Sequence, residues 1–573
     1  MDYKDSFNSW LNGSYFDQET KSELSSLTSE EEIRDRFYKN LEFGTGGLRG
    51  VIGAGTNRMN LYTVRKATQG LANFILKEGK AEAGVAIAYD SRHMSPEFSD
   101  EAALCLNANG IKTYRFESLR PTPELSFAVR ELGCVAGIVI TASHNPPEYN
   151  GYKVYWEDGA QITAPKDVQI ISEVNAITDY ASVKTTSKEE AIAKGLYHVI
   201  GEEIDLKYYA ALKALVVNPE VINQVAGDIK IVYTPLHGTG NIPVRTILKE
   251  IGFKNVHVVA QQEFPDSNFS TVSYPNPEDK AAFSLALELA KEVDADIVLA
   301  TDPDADRLGI YAKDSISGEY KAFTGNMSGA LVCDYLLSAR KEKGILSKNG
   351  VIVDTIVTTN MTEVIAKEYG LAHIETLTGF KYIGEQIKLF EEQGSYHYEF
   401  GFEESYGCLV GTHARDKDAI VTVMSLCEAA AYYKTKGLTL WDQMLCIYEK
   451  YGYYRENLKS VTLKGEDGSK KMEAIINQLR VNTPKEIAGI KVVNFRDYQS
   501  GIITHFDSGT QSKTGLPISN VLYFEMEEDA WCCVRPSGTE PKIKFYIGVK
   551  GDSLESADKK LYEFTEAVMK LAE

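Results

Sequence analysis

Strand and helix patterns alternate along most of this chain, and this alternation constrains the fold more than any other feature. Short apolar runs such as residues 85–89 and 135–140 are typical of buried strands, and residues 64–76 and 96–109 have helical spacing. The alternation continues to about residue 440 and predicts α/β domains with helices on the sheet faces. A chain of 573 residues is too long for one hydrophobic core, so several domains are expected.

The pattern changes after about residue 450. Residues 521–526 and 542–549 are predicted to be strands. The last helix is expected to begin after Asp552, with Glu555 completing a capping box. This part of the chain is therefore predicted to form a separate and smaller α+β domain.

Composition argues against several classes of protein. The net charge is −20, whereas nucleic acids and anionic membranes need a positive protein surface. The apolar runs are far shorter than the roughly 20 residues of a membrane helix, and the N-terminus lacks a signal-peptide pattern, so a cytosolic location is expected. The eight cysteines include no Cys-x-x-Cys pair, which favours reduced and mostly buried thiols.

Three alternating aspartates follow the strand predicted at 296–300: Asp302, Asp304 and Asp306. In an extended segment, alternate side chains point the same way, so the carboxylates are expected to converge on magnesium, manganese or calcium. A calcium EF-hand is excluded because Arg307 stands where that motif has its glycine. A solvated acidic turn is the alternative interpretation.

Ser143 follows the strand predicted at 135–140, and two prolines close behind it restrict the backbone. Both this serine and the aspartates lie past the carboxyl end of a strand, where open α/β sheets bind ligands. No Gly-x-Ser-x-Gly elbow surrounds Ser143, which disfavours acyl transfer. A phosphorylated serine facing metal-bound aspartates accounts for both clusters, and plain turn hydrogen bonds are the alternative.

Two glycine-containing loops carry cations suited to phosphate. Residues 44–50 hold Arg49 in a glycine-dense segment without a dinucleotide or P-loop pattern, so a cation on flexible backbone is expected there. Residues 535–542 combine an arginine, two hydroxyls, a glycine amide and a lysine, which are suitable donors for a phosphate dianion. The alternative for both is an ordinary turn.

Four segments resemble, in order, the signature loops of the α-D-phosphohexomutase family. They are T-A-S-H-N-P at 141–146, D-P-D-A-D-R at 302–307, G-F-E-E-S at 401–405 and R-P-S-G-T at 535–539. They span almost the whole chain in the expected order, and four matches together are highly specific. The most similar subgroup is bacterial α-phosphoglucomutase of the longer type.

The resemblance implies three related α/β domains plus a smaller C-terminal α+β domain around a central cleft. The expected domains cover residues 1–205, 206–318, 319–450 and 451–573. In that order they would carry the phosphoserine loop, the metal loop, the sugar-binding loop and the phosphate-binding loop.

The resemblance also implies roles for individual residues. Ser143 would be phosphorylated, and Mg²⁺ would bind one oxygen of that phosphate together with Asp302, Asp304 and Asp306. The other catalytic candidates are Arg49, His144, Lys153 and Lys381. The substrate-binding candidates are Arg307, Glu403, Ser405, Lys417, Arg535, Ser537, Gly538 and Thr539.

The sugar-binding loop departs from part of the family. Some members have G-E-M-S-G-H there, and its histidine is a candidate for proton transfer, whereas this chain has Gly407 at the matching place. General acid–base work would then fall to Lys153, Lys381 or His144, and the sequence leaves the three open.

The implied reaction converts glucose 1-phosphate to glucose 6-phosphate through glucose 1,6-bisphosphate, which would be both intermediate and activator. The implied partners are small sugar phosphates, with the chain a monomer or homodimer. A phosphopentomutase or a mutase for mannose or an amino sugar is the nearest alternative. A metal-dependent phosphatase and a non-catalytic sugar-phosphate-binding protein are more distant ones.

Overall fold

The computed structural model describes residues 2–43, 47–463, 465–536 and 542–572. Four sheets follow one another along the chain. Parallel strands with flanking helices form the centre of the first three, and the fourth contains antiparallel pairs. The predicted fold class, three α/β domains plus a smaller C-terminal α+β domain, is confirmed.

Three helices precede the first sheet: α1 (Tyr3–Asn12), α2 (Gln18–Ser26) and α3 (Glu30–Phe37). The sheet has the order β1-β5-β4-β2-β3-β6, and its two edge-side strands β1 and β5 are antiparallel to their neighbours. Its strands are β1 (Gly47–Val51), β2 (Val85–Tyr89), β3 (Thr113–Phe116), β4 (Ala136–Ile140), β5 (Tyr149–Trp156) and β6 (Tyr197–Ile200). Its helices are α4 (Leu61–Lys77), α5 (Ser95–Ala108), α6 (Thr122–Glu131), α7 (Lys166–Ala176) and α8 (Lys188–Ala193).

The second sheet has the order β11-β10-β9-β7-β8 and again ends in antiparallel strands, β10 and β11. Its strands are β7 (Lys230–Thr234), β8 (Asn255–Val258), β9 (Ile297–Thr301), β10 (Leu308–Lys313) and β11 (Tyr320–Ala322). The helices from the end of β6 to the start of β10 are α9 (Glu202–Lys213), α10 (Pro219–Val225), α11 (Asn241–Ile251) and α12 (Ser284–Val293).

The third sheet has the order β13-β12-β14-β15, with β15 antiparallel to β14. Its strands are β12 (Gly350–Thr355), β13 (Ala372–Thr376), β14 (His397–Glu403) and β15 (Gly407–Val410). Its helices are α13 (Gly325–Glu342), α14 (Met361–Glu368), α15 (Phe380–Gln393), α16 (Ala419–Lys434) and α17 (Leu440–Tyr451).

The fourth sheet has the order β16-β23-β22-β21-β18-β19-β20, and β17 pairs with β18. Its strands are β16 (Tyr453–Thr462), β17 (Glu486–Ile487), β18 (Ile490–Asp497), β19 (Ile502–His505), β20 (Gln511–Lys513), β21 (Leu522–Met526), β22 (Trp531–Pro536) and β23 (Lys542–Gly551). Its helices are α18 (Gly465–Val481) and α19 (Leu554–Met569). The capping box of α19 is formed by Ser553 and Ser556, so the predicted pair Asp552 and Glu555 is wrong by one residue.

One continuous hydrophobic cluster runs from Ala86 in β2 to Tyr454 in β16 and so connects the first three sheets. A smaller cluster joins the third and fourth units, because Val357 and Leu377 pack with Tyr523 and Trp531. Close-packed apolar contacts of this kind fix neighbouring units relative to one another. The loops at the sheet ends are therefore held at defined positions.

The eight cysteines are free thiols and seven are buried, which confirms the expectation from their spacing. Among the described helices, none combines the length and apolar character that crossing a bilayer requires. The domain boundaries at 205, 318 and 450 stay predictions.

Candidate active site

Each candidate loop connects two neighbouring antiparallel strands. The serine loop lies between β4 and β5, the aspartate loop between β9 and β10, and the sugar-binding loop between β14 and β15. The fourth connects β22 and β23, and its residues 537–541 lie outside the described part of the chain. The same hairpin position thus recurs in all four units.

The three described hairpins share an unusual backbone conformation. Each contains one non-glycine residue with positive φ: 53° at Ser143, 50° at Ala305 and 66° at Tyr406. Such a conformation costs about 1–3 kcal/mol and persists only where the surroundings enforce it, most often at functional sites. The contacts that enforce it at Ser143 are therefore informative.

A buried arginine, Arg92, fixes the backbone of the serine loop. Arg92 is 1% exposed, and its guanidinium donates to the carbonyl oxygens of Ser143 at 2.6 Å, Pro146 at 2.8 Å and Tyr149 at 3.1 Å. It also donates to the carbonyl oxygen of Asn145. A planar guanidinium with several donors in fixed directions fixes the path of such a turn.

Asp90 completes this support. Its Oδ2 accepts a hydrogen bond from the Thr141 hydroxyl at 2.6 Å, and Thr141 Oγ1 in turn accepts one from the Ser143 amide at 2.8 Å. Its Oδ1 accepts a bond from the Arg92 amide at 3.0 Å. Asp90 and Arg92 follow the strand predicted at 85–89, but sequence reasoning missed their role. Their position at the carboxyl edge of β2 was the available signal.

The Ser143 hydroxyl lies directly against the aspartate loop. Its Oγ donates a hydrogen bond to Oδ2 of Asp302 at 2.6 Å and lies 3.2 Å from Nδ1 of His144. Ser143 is 3% exposed and Asp302 is fully buried. The contact joins the first and second sheets at the point where the sequence predicted two ligand-binding loops.

The three carboxylates converge as predicted, but the local geometry differs from the prediction. Residues 302–307 form a turn between β9 and β10, so the expectation of an extended segment is wrong. Oδ1 of Asp302 accepts hydrogen bonds from the amides of Asp306 at 3.1 Å and Arg307 at 3.0 Å. One carboxylate oxygen from each of the three aspartates lies within 4.8 Å of the others.

This donor set fits a hard divalent cation. All three aspartates are buried, and Oδ1 of Asp304 and of Asp306 has no hydrogen-bond partner in the described part of the chain. Buried acceptors without partners are costly, and three adjacent carboxylates repel unless a cation joins them. Carboxylate oxygens are the ligands that magnesium, manganese and calcium prefer. The aspartate triad can therefore hold a metal ion.

Two lysines contribute positive charge to the same cluster. Nζ of Lys153 lies 2.7 Å from Oδ2 of Asp304 and 3.3 Å from Oδ2 of Asp306. Nζ of Lys417 lies 3.2 Å from Oδ2 of Asp306 and 3.0 Å from Oδ1 of Asp416. Both lysines were predicted site residues, and the structure brings them together around one carboxylate.

The aspartates differ in their pKa values because their neighbours differ. Burial, then Asp304 and Asp306, raise the pKa of Asp302 well above its ordinary value. Burial also acts to raise the pKa of Asp306, but Lys417, Lys153 and Arg307 outweigh it and the pKa is lowered. Within the triad, the charged form is thus most favoured at Asp306, beside the two lysines.

Arg49 lies on β1, opposite Gly151 of β5, so the expectation of a flexible loop is wrong for this residue. Its Nη1 donates to Oδ1 of Asn145 at 3.3 Å, which places it beside the serine loop. Burial, then Arg307 and Arg49, lower the pKa of His144 well below its usual value and keep the imidazole neutral.

Arg307 follows the aspartate turn and forms an ion pair with Glu278 at 2.5 Å. Glu403 ends β14, and its Oε1 accepts a hydrogen bond from the Gly379 amide at 2.9 Å. Burial raises the pKa of Glu403, while Lys417 and Arg307 act in the opposite direction. Ser405 is half-buried in the turn that follows.

The fourth unit contributes Arg535, which lies on β22 opposite Lys544 of β23. Burial lowers the pKa of Lys381, Asp167 opposes this effect, and Arg535 adds to it, so the two cations are electrostatic neighbours. Arg535 also acts on the pKa of Glu404 in the sugar-binding loop. The predicted residues Ser537, Gly538 and Thr539 lie outside the described residues.

Thr122 is a third site residue that sequence reasoning missed, after Asp90 and Arg92. It begins α6, its amide donates to the carbonyl oxygen of Asp304 at 2.9 Å, and its hydroxyl donates to Oδ2 of Asp304 at 2.8 Å. A threonine at the start of a helix usually caps that helix, so the sequence held no signal for this contact across sheets.

Family models match three consecutive stretches of the chain. Domains I, II and III of phosphoglucomutase/phosphomannomutase match residues 40–181, 207–317 and 324–451. Together they cover more than half of the chain. The chain belongs to the phosphoglucomutase/phosphomannomutase family. Its serine, aspartate and sugar-binding hairpins fall one in each of the three matched domains of this family.

Relatives within this phosphohexomutase family match over nearly the whole length. A phosphoglucomutase of Staphylococcus epidermidis is 37% identical over 557 residues, 97% of this chain and 98% of the relative. A phosphoglucomutase of Staphylococcus haemolyticus is 36% identical over 564 residues, 98% of each chain. Relatives of this kind are enzymes, and the predicted membership in the phosphohexomutases is confirmed.

Solved structures show the same fold at lower identity. A phosphoglucomutase/phosphomannomutase family protein of Burkholderia thailandensis has a TM-score of 0.64 and 19% identity, with 92% of this chain and 97% of that chain covered. The phosphoglucomutase parafusin of Paramecium, in an open form, has a TM-score of 0.67 and 17% identity, with 93% and 95% covered.

Proposed function

We propose that this chain is a phosphoglucomutase that interconverts glucose 1-phosphate and glucose 6-phosphate. The support is its membership in the family together with relatives named phosphoglucomutase at 36–37% identity over almost the full length. A preference for mannose or a pentose is not favoured, since the relatives named here carry the glucose activity in their names.

One observation carries the mechanism: the Ser143 hydroxyl lies 2.6 Å from a carboxylate of the aspartate triad, in which two oxygens have no hydrogen-bond partner in the described part of the chain. A nucleophilic oxygen at the edge of a cation site is the arrangement that phosphoryl transfer needs, because this chemistry depends on positioning and charge neutralisation. Ser143 is therefore proposed to carry the phosphoryl group.

Two transfers make up the proposed reaction. In the first, the bond between phosphorus and Ser143 Oγ breaks and Oγ takes up a proton, while the free 6-hydroxyl of glucose 1-phosphate bonds to that phosphorus and loses its proton to a base. The glucose 1,6-bisphosphate then reverses its orientation. In the second transfer, Ser143 Oγ gives up its proton and bonds to the phosphorus of the 1-phosphate, the bond from that phosphorus to O1 breaks, and O1 receives a proton. The serine ends phosphorylated, as it began.

Asp302, Asp304 and Asp306 are proposed to hold Mg²⁺ together with an oxygen of the phosphorylated Ser143. When bound, the ion would offset the charge of the phosphoryl group and polarise it for displacement. Lys153 and Lys417, which lie on the same carboxylates, would keep further positive charge beside the transferring group. Arg49 and Arg307 are proposed to bind the remaining oxygens of the transferring phosphoryl group.

Proton transfer is proposed to involve His144 at the serine, because its Nδ1 lies 3.2 Å from Oγ. Lys381 is the proposed partner of the sugar hydroxyl, since burial lowers its pKa and makes its proton easier to give up. Lys153 is less suited to proton transfer, because its ion pairs with Asp304 and Asp306 stabilise the charged amine.

The remaining candidates are proposed to bind the sugar phosphate in both orientations. Glu403 and Ser405 would contact sugar hydroxyls. The non-reacting phosphate would be held by Arg535, Ser537, Gly538 and Thr539. A clamp that accepts either phosphate would allow the site to bind the sugar in both orientations. A cytosolic location and a monomeric or homodimeric state stay predictions.

The test is a coupled assay on glucose 1-phosphate, with and without Mg²⁺ and with and without glucose 1,6-bisphosphate. We expect glucose 6-phosphate to form only with Mg²⁺, and the bisphosphate to shorten the lag by phosphorylating Ser143. Mannose 1-phosphate and ribose 1-phosphate serve as matched substrates. Net release of inorganic phosphate would indicate a phosphatase instead, and binding without turnover would indicate a sugar-phosphate-binding protein.

A further inference from the structure

Three N-terminal helices, α1 to α3, precede the part of the chain that the family model of domain I matches. We propose that these helices, residues 3–37, are a positioning element for Arg49. They act by fixing the loop at residues 53–58, which continues from β1, the strand that carries Arg49. The inference rests on the proposed mutase activity for its kinetic consequence.

The N-terminal helices have their own aromatic core, and that core extends into the first α/β unit. Trp10 stacks on Phe16 with ring centroids 4.3 Å apart, and it meets Tyr62 of α4 edge-on at 5.4 Å. Ala54, near the start of the 53–58 loop, belongs to the same buried cluster. Aromatic pairs bury much apolar area with a defined geometry, so the helices are held in one orientation on the loop.

Two charged side chains of the helices bind the backbone of this loop. Both carboxylate oxygens of Glu23 accept the Ala54 amide at 3.1 Å, and Nη1 of Arg36 donates to the Ala54 carbonyl oxygen at 3.1 Å. Glu23 and Arg36 are themselves an ion pair at 2.5 Å. Both backbone polar groups of Ala54 are thus satisfied by side chains from a different part of the chain.

The loop also lies too close to the helices for side chains at two positions. A Cβ atom on Gly55 would lie 2.8 Å from the carbonyl oxygen of Arg36, and one on Gly53 would lie 3.0 Å from Oε1 of Glu23. Both glycines have positive φ, 134° and 151°. The amide of Asn57 donates to the Arg36 carbonyl oxygen at 2.9 Å. The helices therefore contact the loop through close backbone approach and a backbone hydrogen bond, in addition to burying apolar side chains.

Backbone hydrogen bonds connect the 53–58 loop to β1 and so to Arg49. The Met59 amide donates to the Val51 carbonyl oxygen at 2.8 Å, which closes the loop onto the last residue of β1. The Ile52 amide donates to the Glu148 carbonyl oxygen at 2.8 Å, at the end of the serine loop. Because β1 is an edge strand, these bonds at its end help fix the register that places Arg49 beside Asn145.

The decisive variants are Glu23→Ala, which removes the acceptor for the Ala54 amide, and Glu23→Gln, which keeps an acceptor oxygen. The matched control is Lys4→Ala, which breaks an exposed ion pair with Glu30 on the same helices. We expect Glu23→Ala to lower kcat/KM for glucose 1-phosphate by about 10- to 100-fold. Glu23→Gln is expected to stay within about 3-fold of wild type, and Lys4→Ala within about 2-fold.

A double-mutant cycle separates positioning from mere stability. In an Arg49→Lys background, Glu23→Ala should lower kcat/KM by less than about 2-fold, because the residue through which it acts is already impaired. An equal fall in both backgrounds would overturn the proposal. So would a lowered Tm with unchanged kcat/KM, since that outcome describes a purely structural role.

Backbone hydrogen exchange provides a readout that does not need catalysis. Glu23→Ala should speed exchange in residues 47–59, whereas Lys4→Ala should leave it unchanged. Absence of mutase activity in the wild-type chain would contradict the proposed function. The hydrogen-exchange experiment would still decide whether the helices order β1. Unchanged exchange in residues 47–59 of the Glu23→Ala variant would overturn the positioning role.

Discussion

A Cβ atom on Gly407 would lie 2.0 Å from Cδ of Lys417. The lysine side chain passes over this glycine on its way to Oδ2 of Asp306, which its Nζ reaches at 3.2 Å. Some members of the family have a histidine in the corresponding place of the sugar-binding loop. Here the space for any side chain at 407 is filled by Lys417, so we expect a different residue to carry out proton transfer.

Gly407→Ala should displace Lys417 and weaken the cation cluster around Asp306. Overpacking of this kind costs about 1–3 kcal/mol, and misplaced charge should lower kcat/KM by about 10-fold or more. The measurements are the free energy of unfolding and the steady-state rate on glucose 1-phosphate. Gly227→Ala is the matched control, since a Cβ there has nothing within 4 Å. Wild-type kinetics in Gly407→Ala would contradict the importance of this lysine path.

Asp304→Asn should weaken the response to Mg²⁺. The change removes one of three charged oxygen ligands, so the Mg²⁺ concentration at half-maximal rate should rise by about 10-fold or more. A metal titration of activity measures this shift, and Asp228→Asn, at an exposed aspartate, is the control. An unchanged titration curve for Asp304→Asn would count against the triad as the metal site.

The stability of the third unit should depend on pH through His373, whose Nε2 lies 2.8 Å from Oδ1 of Asp354. Burial alone would lower the pKa of His373, but Asp354 outweighs it and raises the pKa from 6.5 to about 9. Because the folded-state pKa is the higher one, the charged pair stabilises fully below about pH 6.5. That stabilisation is lost as the pH rises toward 9.

We expect the wild type to lose about 1–3 kcal/mol of unfolding free energy between pH 6.5 and 9.5 relative to His373→Gln, which cannot take up the proton. Denaturant unfolding at several pH values, monitored on both proteins, gives this difference. Parallel pH curves for the two proteins would show that His373 carries no such proton linkage.

Arg535→Ala should mainly raise KM. The phosphate that Arg535 is proposed to hold stays charged throughout the reaction, so the arginine binds ground state and transition state alike. We expect KM for glucose 1-phosphate to rise by about 10-fold while kcat stays within about 3-fold. Arg480→Ala, on the same unit but in contact with Asp497 instead, is the control. A normal KM for Arg535→Ala would remove it from the phosphate clamp.

The sequence was sufficient to locate the serine and aspartate loops that meet in the candidate site. Ser143 and Asp302 could be predicted because each follows an apolar run that folds as a buried strand, and the carboxyl ends of such strands meet at one edge of a sheet. The change to a β-rich unit after residue 450 was also readable, since strand patterns replaced the alternation with helices.

The contacts that position those groups could not be predicted. The place of Arg92 after β2 marks it as a candidate, but its contacts are with four backbone carbonyls, and backbone acceptors leave no mark in the sequence. The aspartates converge through a left-handed residue at Ala305, where sequence propensity favours ordinary backbone. Thr122 reaches Asp304 across two sheets, a pairing of residues 182 positions apart that only the fold determines.

The most direct test of the account is the activity of Ser143→Ala, with its fold checked by circular dichroism and its Tm. We expect mutase activity on glucose 1-phosphate to fall by at least about 1,000-fold while the fold is retained. After incubation with glucose 1,6-bisphosphate, intact-mass analysis should find phosphate on the wild type alone. Substantial mutase activity in the folded variant would contradict the proposal that Ser143 carries the phosphoryl group.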